Sequence, residues 1–243
     1  MERKRCFLES DEWKTIPWAK DPGAKTPLDE LHDILCDLPG FLEDIDRIRA
    51  WDPNEAGLED FRASLCSRAV ASLEMLYAWR WDWEQKFPHS SYIVGADQYA
   101  SQMPRFLPPS PFSSIIWFAN PHRSSELMTY NAIRVIISKT LEAVGVQAEM
   151  PPSEPFVHDP LLPTEGTLHD VVIEICRMVA YHLQPAIRSF GALMLIFPIN
   201  IALRHLNEED GEVKLWVEAV MTVLADLHGF ELGRSRYMRR EII

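Results

Sequence analysis

The chain has 243 residues and a formal net charge of −12, with 47% hydrophobic and 25% charged side chains. That is the composition of an ordinary globular protein with enough chain to bury a sizeable core. Its acidity excludes the basic stripe with which a compact nucleic-acid binder neutralises phosphates.

The first 25 residues, rich in Trp, Lys and Pro, read as an extended N-terminal arm, and residues 26–243 as a single helical domain. Thr26-Pro27 pairs an N-cap with a proline at the first helical position. Leu28, Leu31, Leu35, Leu38, Leu42 and Ile45 then recur at three- and four-residue steps, one face of a helix. Pro39-Gly40 is expected to kink that helix or split it in two. A second helix is predicted over 58–87. Leu58, Phe61, Leu65, Ala69, Leu73, Leu76, Trp83 and Phe87 form one stripe on it and Val70, Tyr77 and Trp81 another, so burial on two sides is expected. Residues 88–119 read as an irregular segment, broken by Pro88, Pro104, Pro108, Pro109 and Pro111.

Asn120-Pro121 repeats the cap-plus-proline signal and opens a third helix through Val144, stopped by Gly145. Residues 146–166 form a proline-rich connection. Thr167 with Asp170 makes the capping-box start of a fourth helix that ends before Pro185. The fifth helix contains the uncharged run 190–203. That run is shorter than the roughly 20 apolar residues of a membrane span, so it reads as a core helix bent at Pro198, with Phe197 and Ile199 buried beside the bend. Asp210 caps a sixth helix, with Trp216, Val220, Val223 and Leu227 on one face and Gly229 as its stop. No segment alternates with a period of two over six or more positions. The predicted fold class is therefore all-α, an irregular array of six principal helices around a proline-bent C-terminal helix.

Cysteines stand at 6, 36, 66 and 176, none within metal-ligand spacing of another, so neither a zinc finger nor a redox pair is available. At apolar positions they read as reduced, buried thiols. The N-terminal Met-Glu-Arg-Lys-Arg lacks the apolar core of a signal peptide. An intracellular location, nucleus or cytoplasm, is expected, with no membrane partner. Arg3, Lys4 and Arg5 at one end, with Arg234, Arg236, Arg239 and Arg240 at the other, read as solvated tails, so direct specific DNA binding is not expected.

Several stretches together carry a family resemblance. They are LESDEWKTIPW at 8–18, LDELHDILCDLPGFLEDID at 28–46, Tyr130-Asn131-Ala132 at the head of an apolar run, EICRMVAYHL at 174–183 and GALMLIFPINIALRHL at 191–206, closing on His228-Gly229-Phe230. In this order the chain resembles the C-terminal regulatory region of the fungal binuclear zinc-cluster transcription factors over nearly its full length. The resemblance implies a helical regulatory domain that senses or transmits a signal for metabolic or secondary-metabolite genes. The family's DNA-binding element, six clustered cysteines beside a basic run, is absent from this sequence.

Chemical candidates are few. Asp29, Asp33, Asp37 and Asp44 could stack carboxylates for a divalent metal, but Asp33, Asp37 and Asp44 point away from the leucine stripe and read as a solvated face. His158-Asp159 and His169-Asp170 resemble acid–base pairs, yet Asp170 already has a capping role and no third convergent ligand is apparent. No metal and no cofactor is expected. The missing nucleophile elbow, phosphate loop and dinucleotide fingerprint weigh against catalysis. Arg80 and Arg134 are different: both fall inside apolar stripes, where a guanidinium must be paired or is very costly. They read either as structural ion pairs lying along tryptophan faces or as anchors of an aromatic-lined cavity. In that second reading Trp79, Arg80, Trp83, Tyr130, Asn131 and Arg134 bind a small ligand, an acidic aromatic metabolite fitting best.

Three functions follow as expectations. The first is a regulatory domain that binds a small effector or a partner protein and influences transcription without touching DNA. The second is an enzyme of fungal secondary metabolism, of cyclase, lyase or isomerase type, using the same cavity. The third is an interaction subunit that pairs with a full-length zinc-cluster factor.

Overall fold

The computed structural model describes residues 3–52, 56–103, 107–146 and 167–229. Those residues form two compact units: residues 1–88 with 133–165, and residues 89–132 with 166–243. The expectation of an arm over 1–25 and one domain over 26–243 thus meets a division made elsewhere.

Unit 1 begins with short helical turns rather than an extended arm, among them α1 (Asp11–Thr15). Ion pairs hold this segment. Arg3 reaches Asp46 at 2.5 Å, Arg5 reaches Asp44 at 2.9 Å and Lys14 reaches Asp37 at 2.6 Å. The aspartates belong to the expected first helix, which is split into α2 (Pro27–Leu35) and α3 (Leu38–Ala50). The break falls at Cys36-Asp37, so Pro39 lies in the first turn of α3, where its missing N–H costs no hydrogen bond. Thr26 and Asp29 close a reciprocal capping box on α2. Asp44 is not on a solvated face: it is 1% exposed, gripped by Arg5 and Arg68, with Arg47 at 3.8 Å. Asp33 and Asp37 are half-buried against Lys25 and Lys14.

The long helix α4 (Leu58–Lys86) packs on α2 and α3. Its buried residues run Leu65, Ala69, Leu73, Leu76, Trp79, Arg80 and Trp83. Each enclosed Leu there contributes about 1.5–3 kcal/mol of transfer free energy. The second stripe is not a buried side: Val70 and Tyr77 are half-covered and Trp81 is exposed. Unit 1 also takes the second half of α5 (Pro121–Ala143). That helix ends in a Schellman motif, in which Val146 N–H reaches the Leu141 carbonyl and Gly145 N–H that of Glu142, both at 3.0 Å, with Gly145 at φ +86°.

Unit 2 opens with a feature absent from the all-α expectation, an antiparallel pair of strands, β1 (Ser91–Gly95) and β2 (Ser114–Phe118), in register from Ser91 opposite Phe118 to Gly95 opposite Ser114. In β2, Ile115, Ile116, Trp117 and Phe118 are all buried, which erases the alternation that marks a strand in sequence. The Asn120 side-chain oxygen caps α5, accepting from the N–H groups of His122 and Arg123 at 3.1 Å each.

Helix α6 (Leu168–His182) starts on the expected Thr167–Asp170 capping box and packs on β2 and on α7 (Arg188–His205). Pro198 lies inside α7, and Ile199 is fully buried. Phe197 is only half-buried, while Phe190 and Leu193 are exposed, so α7 is a core helix on one side alone. Packed on α7, α8 (Gly211–His228) buries Trp216, Val220 and Val223 and ends at Gly229, φ +73°. Asp210 makes no side-chain cap there; its carboxylate instead accepts from Asn207 N–H across the preceding turn. The described residues are thus mostly helical, with eight α-helices where six were expected and one small sheet. Among them no helix is long and apolar enough to cross a membrane. His158-Asp159, the connection 147–166, Phe230 and the C-terminal arginines lie outside the described residues.

Candidate functional site

The six residues expected to line one cavity are shared between the units: Trp79, Arg80, Trp83 and Arg134 belong to unit 1, Tyr130 and Asn131 to unit 2. In unit 1, Arg80 is fully buried, donates to Glu84 at 3.0 Å one helical turn on, and lies 4.7 Å over the Trp83 ring. Glu84 therefore serves Arg80. Arg134 lies 5.2 Å over the Tyr77 ring. Both arginines thus show the stacking on α4 aromatics that belongs to a structural role. The Trp79 indole donates to the Pro27 carbonyl at 2.9 Å, tying α4 to the start of α2. Trp79 also lines a recess of about 340 Å³ with Ile34 and Met75, its charged walls being Lys14, Glu30, Asp33, Asp37 and Asp82. Burial there raises the Asp37 carboxyl, opposed by Lys14. In unit 2, Tyr130 and Asn131 are buried in α5, and the Asn131 amide donates to Glu174 at 2.9 Å.

A larger recess, about 750 Å³, lies wholly within unit 2. It falls in the middle of the range typical of small-molecule sites. Its wall is the connection between the strands, where a 3₁₀ helix over Ala96–Gln102 supplies Asp97, Tyr99 and Ser101. The proline run that follows supplies Leu107, Pro108, Ser110 and Phe112. Ile115 of β2, Ala180 of α6 and Trp216 of α8 complete it from the helical side. Three contacts hold the wall in place. Trp216 Nε1 donates to the Pro108 carbonyl at 3.2 Å, its ring meets Phe112 edge to face, and Tyr99 stacks on Trp117 with centroids 3.7 Å apart. Arg177 of α6 fixes the start of β2 through the Ser114 carbonyl at 3.1 Å and hydroxyl at 2.9 Å. Aromatic faces, prolines and three serine hydroxyls suit a mostly apolar molecule with a few polar points. Asp97 is the one titratable carboxylate of the described lining, and no histidine or basic side chain stands beside it there.

The strongly perturbed groups lie elsewhere. Burial pushes the Cys176 thiol and the Tyr181 hydroxyl up to about 12 each. Cys176 alone of the four cysteines is buried, and the other three are half-covered rather than enclosed as expected; all four are free. His169 meets Asp210 at 3.4 Å, while Asp170 stays on its cap, held below its usual range by the Thr167 backbone N–H. Among the described residues no cluster of three potential metal ligands occurs.

His182, at the end of α6, is 1% exposed, and neither ring nitrogen has a hydrogen-bond partner among the described residues. Burial lowers its pKa to about 3. An unfolded histidine titrates near 6.5, so between these values the unfolded chain holds a proton that the folded one refuses. Stability from this residue is complete above about pH 6.5 and falls by about 1.4 kcal/mol per pH unit as the pH drops toward 3. His182→Leu is expected to remove that component. Urea unfolding at pH 7, 6 and 5 should show the variant gaining on the parent at each step, and a difference constant with pH would contradict the assignment.

No signal for the unit 2 recess was read from the sequence, because its wall is the proline-rich stretch that carries no periodicity. The composition of that wall, Tyr99 and Phe112 among prolines and serines, is the available clue. No protein-family model, curated protein or solved structure matches this chain.

Proposed function

We propose that the chain is a small-molecule-binding regulatory domain of the zinc-cluster-factor kind, acting on transcription of metabolic genes through an effector or a partner rather than through DNA. The recess of about 750 Å³ in unit 2 carries this reading. An effector site needs apolar area and a few orienting polar groups, and Trp216, Phe112, Tyr99 and the lining serines supply them. An enzyme of the same cavity would need a titratable pair brought together, and Asp97 stands without such a mate among the described lining residues. In this reading the ligand is held by the strand connection of unit 2, and not by Trp79, Arg80 and Trp83 of unit 1. A docking role for a partner protein draws support from Phe190 and Leu193 on α7, exposed at 39% and 51%.

The test is mass spectrometry of small molecules retained by the purified chain, beside Ser113→Trp. Ser113 is an exposed lining residue, so the indole would fill the mouth of the recess without cutting the core. A molecule retained near one per chain and lost in the variant, with unchanged thermal unfolding, is the expected result. Equal retention by both proteins, or none by either, would overturn the reading.

A further inference from the structure

Resting on that reading of the unit 2 recess, we infer that its ligand is an apolar, ring-bearing organic cation such as a protonated amine, and not an acidic metabolite. Every charge-bearing feature of the described lining points the same way. Asp97 is the charged side chain there, with no lysine, arginine or histidine beside it. No ion pair or hydrogen bond ties up its carboxylate among the described residues. Asp97 stands two residues past the end of β1, at an exposed position of the lining. The three aromatic rings add to this, because the face of an aromatic ring is the negative end of its quadrupole and attracts cations. The net charge of −12 extends the same sign of potential into solvent and raises the local concentration of cations over anions. The serine hydroxyls 101, 110 and 113 accept as well as donate, so they serve an ammonium N–H without opposing it. An anion entering here would meet Asp97 with no compensating cation among the described lining residues.

Three probes that share one ring system isolate the charge: 9-(aminomethyl)anthracene, 9-anthracenemethanol and anthracene-9-carboxylate, carrying +1, 0 and −1 at pH 7. Fluorescence anisotropy of the anthracene would follow each titration with the full chain at low salt and again at high salt. The amine is expected to bind at least tenfold more tightly than the carboxylate, with the alcohol between them, and salt should narrow the gap by screening. Asp97→Asn, at an exposed position, should bring the amine to the affinity of the alcohol and leave the alcohol unchanged. Carboxylate binding as tight as amine binding would overturn the cation preference while leaving the recess a ligand site. An undiminished preference in Asp97→Asn would overturn the role given to Asp97. Failure of all three probes to bind, or binding untouched by Ser113→Trp, would overturn both the preference and the site.

Discussion

Gly191→Ala is expected to destabilise unit 2 by about 3 kcal/mol, the upper end of what an added methyl does in a packed core. On an exposed helical face the same change would stabilise by about 1 kcal/mol, since alanine is the better helix former. Here the new Cβ would fall well inside van der Waals contact distance of the His182 carbonyl oxygen and 2.9 Å from Ile187 Cγ2. The oxygen is backbone at the end of α6, so no side-chain rotation relieves the overlap; α6 and α7 must separate. Separation would loosen the packing of Ile175, Val179, Leu195 and Ile199, all fully buried. Gly211→Ala is the control: nothing lies within 4 Å of its Cβ, at the first residue of α8. Urea unfolding should show a large loss for the first variant and none for the second. A Gly191→Ala protein within about 1 kcal/mol of the parent would mean that α6 and α7 do not approach this closely.

The helical elements were legible where local signals agree with packing. Thr26 caps α2 as its place before Pro27 implies, Thr167 with Asp170 forms the reciprocal cap of its spacing, and Gly145 and Gly229 stop their helices at positive φ. These signals are local, and each acts on its own few residues. Failures came where a long-range contact decides the outcome. The β1–β2 pair joins residues on either side of a proline-rich connection, and the burial of Ile116 and Trp117 by α6 and its neighbours is invisible in a five-residue window. The solvated-face reading of Asp44 failed for the same reason. The arginines that enclose it stand at 5, 47 and 68, and periodicity along one helix says nothing of what docks on its far side. Phe197 shows the converse limit: an uncharged run reads as enclosed, yet α7 leaves one side of it uncovered.

The unit 2 recess shows why ligand sites escape this kind of reading. Its residues come from a 3₁₀ turn, a proline run, a strand and two helices, so no spacing links Asp97, Phe112 and Trp216. Arg80 and Arg134 stand out in the sequence because each is an unusual residue on a regular element. A helical wheel locates such a charge, and its partners decide whether it serves the fold or a ligand.

Arg80→Ala separates those two roles, and it is expected to cost about 3–5 kcal/mol, the range for breaking a buried charge pair. The guanidinium is fully enclosed, hydrogen-bonded to Glu84 and stacked on Trp83, so truncation removes a stem, a charge and a ring contact together. Glu84 is 27% exposed and can recover hydration once its partner is gone, which holds the loss to that range. Arg80→Met keeps the length of the stem in an apolar setting and should recover a good part of the difference, because a buried ion pair is often no better than packed hydrocarbon. Arg80→Lys should fare poorly, since an ammonium cannot stack as a planar guanidinium does. If Arg80 were instead held ready for a ligand, Arg80→Met would leave stability equal or higher, and the small molecule retained by the chain would be lost. Denaturation curves for the three variants, read beside their retained ligand, distinguish the outcomes. A ligand that persists in Arg80→Met while Arg80→Ala unfolds easily assigns this arginine to the fold of unit 1.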